Sequence, residues 1–247
     1  MKLITLNTWG GAVLDPLFEF VKEHKETDIF CLQEIFKDNQ KENVPELFHI
    51  DRAVGDLFER IQVLLPEHQH HFASILRDAY GLVSAVKDGI EVVETGETTL
   101  FENPEFSVND ERDHDRKMLW IVICKDGKEY LIGNVHGYWD ESGKGDTKER
   151  ITQSERILAT LKEKNLPTVL CGDFNLEPDT ESVGMIEKAG FRNLVKEYGV
   201  TTTRTSFYKK DSKFADYIFV NDGIEVLDFK VMPDEVSDHS ALTIEFK

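Results

Sequence analysis

Short apolar runs alternate with longer polar stretches along almost the whole chain, and this alternation is what most limits its fold. The runs have the length of buried strands, and the polar stretches carry apolar residues at the spacing of amphipathic helices. No repeat, low-complexity segment or linker rich in Pro and Gly interrupts the pattern. The chain of 247 residues is therefore expected to form one domain, 1–247, an α/β sandwich in which helices cover two packed sheets.

The elements follow from the same periodicities. Strands are predicted over 2–8, 28–34, 70–77, 81–87, 90–101, 118–125, 129–136, 167–172, 214–220, 224–231 and 240–246. Helices are predicted over 14–25, 51–64 and 147–165. Residues 102–116 and 199–213 are polar and lack periodicity, so we expect long loops there.

Charge and cysteine content limit the partners. With 29 Lys and Arg against 47 Asp and Glu, the formal net charge is −18, which disfavours long nucleic acid and anionic membranes as partners. It does not exclude a local site that holds a divalent cation. Cys31, Cys124 and Cys171 each lie in an apolar run without CxxC spacing, which predicts buried thiols, not disulfides or a zinc site.

The chain shows no apolar stretch of the roughly 18 residues that a membrane span requires. It opens on a strand-like run with no secretory signal, so we expect a cytoplasmic protein, although a secreted protein without its signal peptide would look the same. A monomer is expected.

Several predicted strands end or begin at an acid, an amide or an imidazole. These residues are Asn7, Glu34, His136, Asp173, Asn175, Asp216, Asp238 and His239. Strand ends are where rigid scaffolds present catalytic groups, and carboxylate and amide oxygens suit magnesium or manganese. With two histidines for proton transfer, the set suits hydrolysis of a phosphoester. Each residue alone has a simpler interpretation as a turn, a cap or a buried histidine; their joint occurrence favours a site.

Two further pairs have open interpretations. Arg116 and Lys117, just before a predicted strand, could reach a substrate phosphate or form a solvated loop pair. Tyr138 and Trp139 follow His136 and could stack on a base or ring of the substrate, or pack under a loop.

Six short motifs occur in the order known from one protein family and together span residues 6–239. They are Leu6-Asn7-Thr8-Trp9, Leu32-Gln33-Glu34, Gly133-Asn134-Val135-His136, Gly172-Asp173-Phe174-Asn175, Asp216-Tyr217-Ile218-Phe219 and Ser237-Asp238-His239. In this the chain resembles the endonuclease/exonuclease/phosphatase superfamily of deoxyribonuclease-like phosphoesterases. The resemblance implies a four-layer α/β sandwich of two mixed sheets flanked by helices.

The resemblance also implies hydrolysis of a phosphoester with Mg²⁺ or Mn²⁺ as cofactor. Glu34 is then the principal metal ligand, with Asn7 and Asp238 in support. The substrate is expected to be a nucleotide, a short nucleic acid or a small phosphodiester, cleaved by phosphodiesterase, phosphatase or nuclease action. A catalytically inactive binding or scaffold protein of the same fold is the alternative.

The remaining motif residues are implied to act on water and phosphate. Asp173 orients or deprotonates the attacking water, Asn175 holds a phosphoryl oxygen and His136 donates to the phosphate or leaving group. His239 lies against the phosphate, and Asp216 fixes its tautomer. Either His239 or Asp173 is the base. The run Asn7-Thr8-Trp9 lacks the second N-terminal carboxylate of the apurinic endonucleases, which sets the chain apart from that branch.

Overall fold

The computed structural model describes residues 1–38, 53–76, 78–102 and 115–247. The strands are β1 (Lys2–Asn7), β2 (Ile29–Phe36), β3 (His68–Leu76), β4 (Tyr80–Lys87), β5 (Glu91–Phe101), β6 (Arg116–Lys125), β7 (Lys128–His136), β8 (Thr168–Asp173), β9 (Arg192–Asn193), β10 (Asp216–Val220), β11 (Val226–Val231) and β12 (Leu242–Phe246). The helices are α1 (Leu14–Glu23), α2 (Leu57–Leu64), α3 (Lys148–Lys164), α4 (Glu181–Lys188) and α5 (Leu194–Glu197), with a 3₁₀ turn at Trp9–Gly11.

The strands form two six-stranded mixed sheets with related topologies. The first sheet has the order β11-β12-β1-β2-β4-β3 and the second has the order β5-β6-β7-β8-β10-β9. Each sheet has one parallel pair at its centre, β1 with β2 and β7 with β8, and antiparallel neighbours on both sides. The expected α/β sandwich of two mixed sheets flanked by helices is confirmed. The C-terminal strands β11 and β12 return to the first sheet, where β12 pairs with the N-terminal β1.

The central strands are buried on both faces, which explains their continuous apolar runs. In β2, Cys31 belongs to the cluster between the two sheets, whereas Phe30 and Leu32 pack in the cluster under α1 and α2. This alternation is the period of two that a strand imposes on its side chains. On the other side of the molecule, Ile157 and Leu161 of α3 pack against the second sheet.

A buried amide pair joins the two sheets. Gln33 Nε2 donates to Asn134 Oδ1 at 2.7 Å across the sheet interface, and both side chains are fully buried. Asn134 Nδ2 in turn donates to the carbonyl oxygens of Val83 at 2.9 Å and Leu32 at 3.2 Å. Because buried amides must be hydrogen-bonded, the pair fixes how one sheet lies on the other.

Some predicted boundaries differ from the structure. The helix predicted over 51–64 begins at Leu57; its first two residues, 51 and 52, lie outside the described residues, as do residue 77 of a predicted strand and 103–114 of a predicted loop. The strand predicted from 118 begins at Arg116, so Arg116 and Lys117 are strand residues and not part of a loop.

Helix α4 was not predicted from the sequence. It has only eight residues, including Gly184, so its periodicity is weak. Its N-terminus is capped by Thr180, which accepts from the Val183 amide, and by Asp146, which accepts from the first amides of the helix at 2.7 and 2.9 Å. Asp146 is distant in sequence, and for that reason the capping signal could not be recognised locally.

Candidate active site

Polar residues from both sheets meet where the parallel strand pairs reach their carboxyl ends. Asn7 ends β1, and Glu34 lies in the last part of β2, on the first sheet. His136 ends β7 and Asp173 ends β8, and these two residues are register partners in the second sheet. Ligands of α/β folds bind at this end of parallel strands, so the arrangement forms a candidate site between the sheets.

Glu34 enters the site through a bulge. The register of β2 shifts between Leu32 and Ile35, and Glu34 has φ of 60°. Its Oε1 accepts a hydrogen bond from Asn7 Nδ2 at 2.9 Å and lies 3.7 Å from His136 Nε2, while 26% of its side chain stays exposed. Burial raises the pKa of Glu34, and the hydrogen bond from Asn7 offsets part of that rise.

Asn7 connects carboxylates of the two sheets. Its Nδ2 donates to Glu34 and, at 3.0 Å, to Asp173 Oδ2. Its Oδ1 accepts from the backbone amide of Trp9 at 3.0 Å, which fixes the orientation of the side-chain amide because a backbone N–H can only donate. The structure thus shows Asn7 as a donor to the carboxylates, and its role as a metal ligand stays a prediction.

Asp216 and His239 form a buried hydrogen-bonded pair across the sheets. His239 Nδ1 donates to both carboxylate oxygens of Asp216 at 2.9 Å, and its Nε2 lies 3.7 Å from Asp173 Oδ2. Burial and the cation of Arg204 oppose protonation of His239, but Asp216, Asp238 and Asp173 outweigh them and raise its pKa. The ring is therefore held in one tautomer with Nε2 towards Asp173.

Asp173 stays anionic in this environment. Burial alone would raise the pKa of Asp173, but His239 and Lys144 among its neighbours hold it well below the usual range. Its Oδ1 accepts from the backbone amide of Asn175 at 2.9 Å, and Asn175 Nδ2 donates to the Gly137 carbonyl at 3.2 Å. The segment after β8 is therefore tightly fixed relative to β7.

His136 is paired with Arg116. Arg116 Nη1 donates to His136 Nε2 at 2.9 Å, which leaves the remaining ring proton on Nδ1. Burial, with Arg116 beside it, holds the pKa of His136 well below its usual value. Arg116 is only 4% exposed, whereas Lys117 bonds to Glu97 on the outside of the sheet at 2.6 Å. The expectation of a solvated loop pair is wrong, because successive strand residues point to opposite faces.

Two cations at the site are not predicted from the sequence. Lys144 Nζ donates to Asn175 Oδ1 at 2.9 Å, and burial lowers the pKa of Lys144 to about 8. Arg204 Nη1 donates to Asp238 Oδ2 at 3.4 Å, and its backbone forms a bridge with His239. Both cations lie in irregular segments, where residue spacing gives no signal.

Tyr138 and Trp139 lie beside the site and are half-buried. The Tyr138 ring packs against Phe101 with centroids 4.6 Å apart, and the Tyr138 amide donates to Gln153 Oε1 at 2.7 Å. Lys210 Nζ lies 5.5 Å from the centroid of the Trp139 ring. These contacts agree with the packing interpretation, and stacking on a substrate ring stays a prediction.

Arg150 holds the loop that carries Lys144. Its guanidinium is fully buried and donates to the carbonyls of Gly143 and Gly145 at 2.6 Å each. In addition, Arg150 Nη1 lies 3.8 Å from Asp140 Oδ2. Because these carbonyls flank Lys144 directly, Arg150 sets the position of the ammonium group.

We expect Arg150→Lys to lower the free energy of unfolding by about 1.5–3 kcal/mol, because a single ammonium cannot replace the fork that reaches both carbonyls. Urea unfolding checks this value. The control is Arg156→Lys at an exposed arginine that donates to the Thr99 carbonyl, where we expect a change within about 0.5 kcal/mol. Equal effects of the two substitutions would contradict the role given to Arg150.

One group of potential metal-binding atoms is compact. Ligand atoms of Asp173, Asp216 and His239 all lie within 4.8 Å of one another in the described part of the chain. Both oxygens of Asp216 are already bonded to His239, so this group is first of all a hydrogen-bonded network. By contrast, Asp238 Oδ1 is buried and has no hydrogen-bond partner.

Solved structures with the same architecture cover the entire chain. A mannosyl-6-phosphatase of Bacteroides thetaiotaomicron superposes with a TM-score of 0.74 at 22% identity, covering 100% of this chain and 99% of the other. A humanized TDP2 of D. rerio superposes with a TM-score of 0.72 at 14% identity, covering 100% of this chain and 98% of the other. The catalytic domain of human Nocturnin, with a bound sulfate anion, superposes with a TM-score of 0.68 at 17% identity, covering 100% of this chain and 93% of the other. At these identities the likeness shows the fold.

No curated protein matches the sequence. Within the described ranges, no helix has both the length and the apolar character needed to cross a membrane. A sequence profile described as the Endonuclease/Exonuclease/phosphatase family matches residues 4–239. Since the match extends over nearly the whole length, and the fold agrees with it, the chain belongs to the endonuclease/exonuclease/phosphatase family.

Proposed function

We propose that this protein hydrolyses a phosphoester bond with the help of a divalent metal ion, by in-line attack of water on phosphorus. The observation that carries the proposal is the set of contacts between the sheets: Asn7 with Asp173, Glu34 with His136, and Asp216 with His239. The family membership and the phosphatase among the structural neighbours support a phosphoester as the target.

The donor set fits magnesium or manganese. Glu34 is partly exposed and has a pKa raised by burial, and the buried Asp238 Oδ1 has no hydrogen-bond partner, so both carboxylates would be stabilised by a cation. Hard oxygen ligands of this kind suit Mg²⁺ or Mn²⁺. We assign Glu34 and Asp238 to the metal, with Asn7 adjoining them. A bound divalent ion supplies neutralisation of the phosphoryl charge.

The other groups act on the water and the phosphoryl group. Asp173, held as an anion, accepts a hydrogen bond from the attacking water and takes its proton as the new P–O bond forms. His239 Nε2 donates to a phosphoryl oxygen, with its Nδ1–H fixed by Asp216. The bond between phosphorus and the ester oxygen breaks on the side opposite the water, the ester oxygen takes a proton from solvent, and Asp173 releases its proton to solvent. Asn175 Nδ2 donates to a phosphoryl oxygen, and His136 donates to the phosphoryl or leaving oxygen from Nδ1, the nitrogen that carries its proton.

We expect Glu34→Gln to lower kcat/KM by about 10³-fold or more, since it removes both a metal ligand and its charge. EDTA should abolish turnover, and Mg²⁺ or Mn²⁺ should restore it. The assay uses p-nitrophenyl phosphate and bis(p-nitrophenyl) phosphate, and calorimetry measures metal binding. Glu155→Gln, on the exposed side of α3, is the control and should leave both readouts unchanged.

Turnover that persists in Glu34→Gln and in EDTA would refute metal-dependent hydrolysis. Metal binding without turnover of either ester would instead favour the alternative, a binding protein that retains the fold. The two measurements together therefore separate an enzyme from an inactive member of the family.

A further inference from the structure

Besides Arg150, whose guanidinium is bonded to backbone carbonyls, three cationic side chains are buried around Asp173 in the described part of the chain. Arg116 is 4% exposed, Lys144 is 7% exposed and the Arg204 side chain is 6% exposed. Each of them interacts electrostatically with Asp173. They come from three separate segments: the start of β6, the loop after β7 and the segment before β10. Convergence of cations from separate segments indicates a site for an anion.

These cations have donors that the protein itself does not use. Arg116 Nε and Arg204 Nε are buried and have no hydrogen-bond partner. Lys144 Nζ carries three protons and donates to Asn175 Oδ1. Buried donors without partners are rare in native proteins because they cost free energy, so an oxygen-rich ligand at this place would satisfy them.

The donors are also held in place before any ligand binds. Arg150 fixes the carbonyls on both sides of Lys144. The Arg204 guanidinium carbon lies 4.0 Å from the centroid of the Tyr208 ring, a cation–π contact that restricts its rotation. A ligand that meets preorganised donors loses less binding free energy to ordering.

We propose that Lys144 and Arg204, together with Arg116, bind the non-bridging oxygens of a terminal phosphate, so that the preferred substrate class is a phosphomonoester. A terminal phosphate offers three non-bridging oxygens and two negative charges. A phosphodiester offers only two such oxygens and one charge, which leaves fewer acceptors for the metal and three cations. This inference rests on the proposed function and narrows it to one type of ester.

The test compares p-nitrophenyl phosphate with bis(p-nitrophenyl) phosphate in the presence of Mg²⁺. Wild-type protein should give the higher kcat/KM for the monoester. Lys144→Met and Arg204→Met should each lower the monoester value by about 10- to 100-fold, the range of one charge-assisted hydrogen bond, with a much smaller effect on the diester. The controls are Lys196→Met and Arg192→Met, whose side chains pair with surface glutamates.

Binding of inorganic phosphate, measured by calorimetry in Mg²⁺, is a readout that does not depend on turnover. The Kd for phosphate should rise by a similar factor in Lys144→Met and Arg204→Met. In Lys144→Arg and Arg204→Lys it should return most of the way to the wild-type value. Urea unfolding identifies any variant that has lost its fold. In that case, phosphate binding by Lys144→Arg and Arg204→Lys tests whether the cations bind phosphate.

The outcomes separate the two proposals. A wild-type preference for the diester, or equal losses on both esters, would overturn the phosphomonoester assignment while leaving phosphoester hydrolysis intact. If neither ester is hydrolysed, the proposed function fails. The binding of inorganic phosphate then tests separately whether the cations are phosphate ligands. Weaker phosphate binding in Lys144→Met and Arg204→Met supports them as phosphate ligands, and unchanged binding refutes this.

Discussion

Asp173→Asn is expected to lower kcat by about 10³- to 10⁴-fold, the contribution of a well-placed general base. The carboxylate lies between both sheets, bonded to Asn7 and to the amide of Asn175, with His239 Nε2 at 3.7 Å. Asparagine keeps the shape of the side chain but loses the charge and the ability to accept a proton. Steady-state kinetics on the preferred ester, at saturating substrate, measures the loss in kcat.

The matched control is Asp179→Asn, whose side chain is 95% exposed and lies 3.9 Å from Lys196 Nζ. Its kcat should equal that of the wild type, because screened surface pairs contribute little. Asp173→Asn that retains kcat within a few-fold would exclude Asp173 as the base and leave His239 as the candidate.

The second large effect is expected for Asp216→Asn, with a fall in kcat of about 10³-fold, the order of magnitude for losing a preorganised group that stabilises the charge of the transition state. Both oxygens of Asp216 accept from His239 Nδ1. An amide in this place can donate its N–H to the ring, which favours the opposite tautomer and puts the lone pair of Nδ1 towards residue 216. The Nε2–H donor would remain, but the ring would be neutral and could no longer present a positive charge to the phosphoryl oxygen.

The pKa of His239 provides an independent readout of the same substitution. Because Asp216 raises the pKa of His239 in the native protein, its removal should lower that pKa. Proton NMR titration of the metal-free protein measures the direction. Asp228→Asn, at a surface carboxylate paired with Lys230, should change neither kcat nor the titration. A His239 pKa that stays constant in Asp216→Asn would show that the pair does not control the ring.

The sequence was informative wherever function coincides with a strand end. Asn7, Glu34, His136 and Asp173 follow buried apolar runs, and the parallel pairs β1–β2 and β7–β8 bring their ends to one place. An apolar run that stops at a polar residue is visible without any structure. The alternation of strands and helices and the family resemblance both predict that two sheets pack together.

What the sequence could not show depends on long-range contacts. Lys144 becomes a site residue because Arg150 folds its loop inwards, and Arg204 because its backbone pairs with that of His239. The polar residues at the start of β6 hide the fact that Arg116 already belongs to the strand. Helix α4 is capped by Asp146 from another loop. For Arg204 and α4 the deciding partner is far away in sequence. Arg150 is near Lys144, but it acts on backbone carbonyls, and a residue pattern does not show such contacts.

The pairing of β12 with β1 has a consequence for biosynthesis. Residues 91–220 supply the whole second sheet, and they leave the ribosome before β11 and β12 do. The first sheet has β1 flanked by β12, so its central strand lacks one neighbour until residues 242–246 have been made. Asp238 and His239 precede β12 in the chain, so they are synthesised just before it. Under the proposed function, we therefore expect no hydrolysis by a nascent chain before β12 has paired with β1.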